Sequence, residues 1–280
     1  MAERRTVELG RLSWKEVEQL VPSNPVLLIP VGTVEQHGQH MPVNADNMVA
    51  GFVAQRAAEA TGAYVTPAIN YGVSMAFRNF PGTISVQPST LTAVLRDVCQ
   101  ELIRQGFRRL IFVNNHGGNQ TSCEQVARDL HRDHGIVMGS IYPWNLGYGL
   151  MRDTYDDAAA VYGHGGEPET SAMLAMFPDD VRLDLMAGRD PIMNGAFKPR
   201  RDNTIEIEGQ PVGGTIYIDF DELFPSGANG DPSVGTAERG RIWIDRVVGY
   251  AIAFVKQFDN ATASAGWAKR KGDAATHTAG

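Results

Sequence analysis

Short apolar runs alternate with helix-length segments along this chain, and this alternation constrains the fold more than any other feature. The strand-like runs lie at 26–31, 64–67, 109–113 and 136–140. Helix signals lie at 13–20, 47–60, 89–105, 119–134, 169–177 and 237–258. Strands separated by helices in this way form parallel sheets with helices packed on both faces. The sequence therefore predicts an α/β protein with a mainly parallel central sheet.

Composition narrows the class of protein. The chain has 280 residues, 43% of them hydrophobic, and carries a net charge of −7. This charge argues against a nucleic-acid partner, because nucleic-acid-binding proteins present a basic face. No apolar stretch reaches the roughly 20 residues of a membrane span, and the N-terminus lacks the apolar region of a signal peptide. Cys99 and Cys123 lack metal-type spacing, so we expect reduced, buried thiols in a cytoplasmic protein.

One segment departs from the alternation. Residues 188–230 are rich in glycine, proline and charge, and contain two alternating runs at 204–208 and 215–220. These runs predict a β-hairpin or a pair of edge strands. We expect either a surface that packs on a neighbouring subunit and helps to close the active site, or a peripheral flap. The rest of 1–258 is predicted to form one domain with this excursion, and 259–280 to be disordered.

Three polar clusters follow or precede predicted elements, as expected of chemistry at the strand ends of an α/β sheet. The first follows the run 25–31 and contains Glu35, His37, His40 and Asp46. Glu35 and His37 are two residues apart, so in an extended segment they project to the same side. Carboxylate oxygens mixed with imidazole nitrogen suit zinc, manganese or iron(II), and a carboxylate can bridge two ions. This cluster reads as half of a metal site.

The other two clusters repeat that layout. His116 follows the apolar run 110–114 and precedes two glycines, and the third cluster, His164 to Glu169, precedes a helix. Taken singly, each residue has a simpler interpretation. Glu35 alone reads as a solvated carboxylate, and His37 or His116 alone as a hydrogen-bonded histidine near the core. Asp46 is open to a helix-capping role, a ligand role or both. His40 is open to a supporting role or a substrate-binding role.

Aromatic residues follow the apolar run 136–141. Tyr142, Trp144 and Tyr148 lie in a glycine-containing segment that we interpret as a loop. They are candidates for an aromatic wall against a flat or ring-shaped substrate, with core packing as the alternative.

Four motifs occur in order along the chain: PVGTVEQHG at 30–38, FPGTIS at 80–85, NNHGGN at 114–119 and HGGEPETS at 164–171. With the tract at 230–240, they resemble the signatures of the creatininase family of amidohydrolases over nearly all of the chain. The resemblance implies a three-layer α/β/α sandwich holding two divalent metal ions. Glu35 and His116 would hold one ion, His37 the second, and Asp46 would bridge them. Glu167 would supply the remaining ligand, as in one branch of the family.

The resemblance also implies a function. The pattern of creatininase itself carries a carboxylate two residues after the histidine of the second motif. This chain has Gly118 at that position. This difference argues against creatinine as the substrate. The leading prediction is a hydrolase that uses a water of lowered pKa to cleave a non-peptide C–N bond, of cyclic amide or formamide type, in a small metabolite. The alternatives are ring opening of an oxidised cyclitol (a keto-inositol), or a non-catalytic binding or maturation partner.

Two further expectations come from the same resemblance. His164 would pass a proton to the leaving group, with capping of the following helix as the alternative role. The family is typically hexameric, so a homohexamer is expected.

Overall fold

The central sheet has four parallel strands. The computed structural model describes residues 5–192, 198–199, 204–206, 208 and 213–263. Its main strands are β1 (Leu27–Val31), β2 (Tyr64–Val65), β3 (Leu110–Asn114) and β4 (Met138–Ile141), in the spatial order β2-β1-β3-β4. Every residue of β1 and β3 is buried. Strands covered on both faces read as continuous apolar runs, which is why the sequence revealed these two directly.

Helices cover both faces of this sheet. The helices are α1 (Trp14–Leu20), α2 (Ala45–Thr61), α3 (Pro88–Gln105), α4 (Gln120–His134), α5 (Pro143–Leu150), α6 (Ala158–Val161), α7 (Glu169–Met176) and α8 (Ala237–Ala263). One apolar core joins the sheet to α2, α5, α7 and α8, and a second joins the opposite face to α3 and α4. Successive residues of a strand point to opposite faces, so Leu28 enters the first core and Leu27 the second. The three-layer α/β/α sandwich is therefore confirmed.

Several predicted boundaries differ from the structure. Helix α2 begins at Ala45 after an N-cap at Asn44, so Asp46 lies inside the first turn and does not cap the helix. Residues 143–150, interpreted as a loop from their glycines, form helix α5. Its Gly147 lies against Trp243 so closely that a Cβ there would be 2.1 Å from the indole nitrogen. Packing against α8 thus overrides the weak helix propensity of glycine.

The excursion contains a small antiparallel sheet of β5 (Lys198–Pro199), β6 (Thr204–Glu206) and β7 (Gly213–Thr215). Strand β6 pairs with β7, as a hairpin requires. However, β7 ends at Thr215, which is the first residue of the second predicted run, 215–220. Residues 216–219 are unpaired in the described chain, and Phe220–Glu222 form a 3-10 turn. Phe220, Leu223 and Phe224 bury themselves against Phe77 and neighbouring apolar residues.

Helix α8 continues to Ala263 instead of ending at 258. The rest of the predicted disordered tail, 264–280, lies outside the described residues. Among the described residues, no helix has the combined length and hydropathy that crossing a bilayer requires.

Candidate metal centre

Two neighbouring strands bring the first two polar clusters together. Strands β1 and β3 pair in parallel with Val31 opposite Asn114, so both end at the same edge of the sheet. The segment after β1 carries Glu35 and His37, and the segment after β3 carries His116. Asp46 joins them from the first turn of α2. The strand ends of a parallel sheet are where α/β proteins place ligands, and the sequence had located these residues there.

Asp46 stands between two histidines. Its Oδ1 lies 3.2 Å from His37 Nε2, and its Oδ2 lies 3.1 Å from His116 Nδ1. Glu35 Oε1 lies 3.2 Å from the same His116 nitrogen and 3.9 Å from His164 Nδ1. Two groups of possible metal ligands share Glu35: one with Asp46 and His116, the other with His37 and His164. Five of the predicted site residues therefore meet around one point.

Backbone carbonyls orient all three histidines. His37 Nδ1 lies 3.2 Å from the Glu35 carbonyl, His116 Nε2 lies 2.8 Å from the Val73 carbonyl, and His164 Nε2 lies 2.7 Å from the Gln36 carbonyl. Each of these nitrogens can donate its proton to that oxygen. The other nitrogen then keeps its lone pair and faces the carboxylates, which is the arrangement of histidines that bind metals.

The cluster is buried, and its carboxylates and imidazoles interact strongly through their charges. Burial lowers the pKa of His37, but the charge and hydrogen bond of Asp46, together with the charges of Glu169 and Glu35, outweigh that effect and raise the pKa to about 9. In return, His37 and His116 overcome the effect of burial on Asp46 and hold its pKa below the usual range. Burial and the neighbouring His37 lower the pKa of His164.

The donor set fits divalent cations. Glu35 Oε2 and Asp46 Oδ2 are buried and have no hydrogen-bond partner in the described part of the chain. Buried carboxylates normally pair with a charge or coordinate a metal. Carboxylate oxygens and imidazole nitrogens that converge on one space would satisfy such ions.

The structure does not bring Glu167 to this cluster. Its N–H donates to the Val161 carbonyl and its own carbonyl accepts from Gly163, and these bonds fix the direction of the side chain. The carboxylate accepts hydrogen bonds from Tyr155 Oη at 2.5 Å and from the Ser171 N–H at 3.0 Å. Glu167 is fully buried and lies outside the lining of the cavity over the cluster.

Glu169, which sequence reasoning passed over, lines that cavity instead. Its carboxylate accepts from Tyr148 Oη at 2.7 Å and from the Gly165 N–H at 3.0 Å. Burial raises the pKa of Glu169 to about 7. The sequence offered two acids two residues apart. Backbone hydrogen bonds to 161–163 hold Glu167 before the helix, whereas Glu169 is the first residue of α7.

The three predicted substrate-binding residues have different positions. Tyr142 lines the cavity. Trp144 also lines it, but its indole N–H donates to Asp46 Oδ1 at 2.7 Å. His40 is buried away from the cavity, with Nε2 at 2.9 Å from Thr170 Oγ1. His40 therefore lies outside the cavity lining that Tyr142 and Trp144 share.

The outer wall of the cavity was not predicted. The cavity has a volume of about 390 Å³, and residues 73–77 and Phe220 form much of its wall. The Phe77 ring stacks on His164 with centroids 4.4 Å apart, and Phe220 meets the same imidazole edge-on at 5.4 Å. Asn119 anchors this wall by accepting from the Val73 N–H at 2.9 Å. The final asparagine of NNHGGN was the only available signal for it.

Gly118 has no room for a side chain. A Cβ there would lie 2.0 Å from the Val73 carbonyl oxygen and 2.6 Å from His116 Nε2. We expect Gly118→Ala to displace that carbonyl, to break its bond to His116 and to weaken Zn²⁺ binding about 10–100-fold in calorimetry. Gly51→Ala is the control, because its Cβ would meet nothing within 4 Å. Wild-type affinity in Gly118→Ala would contradict the role of the Val73 carbonyl.

Comparison with known proteins identifies the family of this chain. Residues 10–255 match the family model Creatininase, described as creatinine amidohydrolase. A creatinine amidohydrolase of Pseudomonas putida is 34% identical over 228 residues, which cover 76% of this chain and 86% of that protein. A mycofactocin precursor peptide peptidase of Mycolicibacterium smegmatis is 31% identical over 253 residues, covering 87% and 88%.

A solved creatinine amidohydrolase (creatininase) superposes with a TM-score of 0.75 at 31% identity, covering 91% of this chain and 99% of that one. Other solved creatininases are described as a Mn form and a Zn–Zn type. The family resemblance of the four motifs is thereby confirmed: this chain belongs to the creatininase family and is a hydrolase of the amidohydrolase type.

Proposed function

We propose that this enzyme holds two divalent ions and cleaves a non-peptide C–N bond, of cyclic amide or formamide type, in a small metabolite. One observation carries the proposal: the two oxygens of Asp46 face two different histidines at 3.2 and 3.1 Å. A carboxylate so placed is suited to bridge a pair of ions.

The ligands follow from these contacts. Glu35 and His116 would hold one ion, His37 the other, and Asp46 both. We assign the further carboxylate ligand to Glu169 in place of Glu167, because Glu169 lines the cavity and Glu167 is engaged with Tyr155 and Ser171. Zinc and manganese are the favoured metals, since solved creatininases contain them. When bound, such ions polarise a carbonyl group and lower the pKa of a water.

His164 is the proposed proton carrier. Its Nε2 is bonded to the Gln36 carbonyl, so the lone pair of Nδ1 faces the cavity. In the neutral ring, Nδ1 can accept a proton from the attacking water and return it to the leaving nitrogen. Phe77 stacks on one face of the ring, and Phe220 contacts the ring edge-on.

The cavity favours a small substrate. Its volume of about 390 Å³ is at the lower end of the range for small-molecule sites. Its walls offer Phe77, Phe220 and Tyr142 to a flat ring. Gly118 occupies the position where the pattern of creatininase itself carries a carboxylate, and this difference argues against creatinine as the substrate.

Elemental analysis of the enzyme purified without added metal, followed by a substrate screen, tests the proposal. We expect about two divalent ions per chain and turnover of a cyclic amide or formamide that a chelator abolishes and Zn²⁺ or Mn²⁺ restores. Keto-cyclitols and short peptides belong in the same screen. Turnover of a keto-inositol alone would establish the alternative substrate, and failure to bind metal after reconstitution would favour a non-catalytic binding protein.

The homohexamer stays a prediction from the family resemblance. Light scattering on the purified protein measures its mass, and a monomer would contradict the prediction.

A further inference from the structure

The indole of Trp144 contacts the carboxylate that we propose as the bridge. Trp144 Nε1 donates a hydrogen bond of 2.7 Å to Asp46 Oδ1, and both residues are buried. Asp46 Oδ1 is also the oxygen that faces His37 at 3.2 Å. The other oxygen, Oδ2, faces His116 and accepts no hydrogen bond within the described chain. The two oxygens of Asp46 therefore differ in their environment.

Trp144 is held rigidly in this position. It is the second residue of α5, and its backbone N–H donates to Asn115 Oδ1 at 2.9 Å. Asn115 directly precedes His116, so the same short segment carries a proposed ligand and fixes the tryptophan. The indole packs against Trp243 of α8 with centroids 5.6 Å apart. Contacts within the protein thus hold the donor in place.

A fixed donor limits how Asp46 can bind ions. A carboxylate free to rotate can chelate one ion with both oxygens, whereas a bridge must give one oxygen to each. The indole N–H occupies one lone-pair direction of Oδ1 and holds the plane of the carboxylate. Partners that hydrogen-bond to metal ligands in this way commonly contribute 10–100-fold to metal affinity.

We propose that Trp144 is a positioning residue for the metal centre: its indole N–H holds Asp46 in the bridging orientation and thereby sets the affinity of the ion on the His37 side. This inference rests on the proposed two-ion site. It adds a role to the two predicted for Trp144, an aromatic wall against substrate or core packing, because the polar edge of the indole is bonded to Asp46.

The test compares Trp144→Phe with Trp243→Phe. Phenylalanine keeps an aromatic ring at 144 but lacks the N–H. Trp243 is the matched control, because it is equally buried against Trp144 and its Nε1 has no partner among the described residues. Metal-free forms of each protein are titrated with Zn²⁺ by calorimetry against a competing chelator. We expect Trp144→Phe to weaken one of the two ions about 10–100-fold and the other by less than about threefold. Trp243→Phe should bind both ions as the wild type does.

The outcomes separate this inference from the proposed function. Two ions bound by Trp144→Phe with wild-type affinities would overturn the role of Trp144 and leave the metal centre standing. Equal weakening in both variants would assign the effect to packing and would also overturn it. A wild type that binds no ion would overturn the metal centre itself.

A spectroscopic readout keeps the inference testable if Trp144→Phe does not fold. In wild-type protein labelled with ¹⁵N-tryptophan, the Trp144 indole N–H should be protected from solvent exchange and should shift when Zn²⁺ is added. The Trp243 resonance, identified by its loss in Trp243→Phe, should shift less. A Trp144 resonance that does not respond to Zn²⁺ would overturn the inference.

Discussion

Asp46→Ala is expected to lose both ions and, with them, all metal-dependent hydrolysis. The substitution removes the only carboxylate of the described chain whose two oxygens face His37 and His116 separately. It also leaves the indole N–H of Trp144 without its acceptor. We expect metal affinity to fall by more than about 10–100-fold, which is the effect of losing a residue that only hydrogen-bonds to a metal ligand. Elemental analysis and Zn²⁺ calorimetry on the same preparation measure it.

Asp184→Ala is the control for Asp46→Ala. Its carboxylate is exposed and pairs with Arg182, so its removal should leave the metal content unchanged. Circular dichroism checks that both variants fold. Two tightly bound ions in folded Asp46→Ala would disprove the bridging assignment, while loss of one ion alone would reduce Asp46 to a ligand of a single ion.

The second large effect is expected from paired substitutions at Glu169 and Glu167. Glu169→Gln should lower the metal content from about two ions towards one, because an amide is a weaker ligand than a carboxylate and carries no charge. Glu167→Gln should keep both ions, because its carboxylate is bonded to Tyr155 and Ser171 outside the cavity. Elemental analysis of the two variants, prepared identically, makes the comparison.

Glu167→Gln should also lower the stability of the protein. Glutamine at 167 places an amide N–H₂ among donors that now bond to a buried carboxylate, so we expect the free energy of unfolding to fall by about 1–3 kcal/mol. Denaturant unfolding of the metal-free forms measures this change. Loss of an ion in Glu167→Gln with full retention in Glu169→Gln would restore Glu167 as the ligand.

Much of the fold was readable from local patterns. Strands β1 and β3 are buried on both faces, so they appear as apolar runs without polar interruption, and the amphipathic stripe of α8 marks its core-facing side. Helix α5 escaped prediction because its stability comes from packing against Trp243, a residue far away in sequence. The length of β7 likewise depends on pairing with β6 and could not be read from alternation.

The candidate site likewise contains residues that the sequence indicated and residues that only the structure located. Glu35, His37, Asp46 and His116 were identified from residue type and spacing, because a strand end and the turn after it present neighbouring residues predictably. Glu169 was passed over in favour of Glu167 because the direction of a side chain before a helix depends on hydrogen bonds to 161–163. Phe77 and Phe220 reach His164 from distant segments that carry no chemical signature of their own.

Sequence by itself thus determined the order of the four main strands and of six helices, the family, and four residues of the candidate metal centre. Each of these depends on interactions within a few residues of chain or on a contiguous motif. Tertiary structure alone decided which acid of the third motif faces the cavity, which aromatic rings enclose His164, and that the Trp144 indole is bonded to Asp46. Those outcomes depend on contacts between segments far apart in the chain, and only the folded protein brings such segments together.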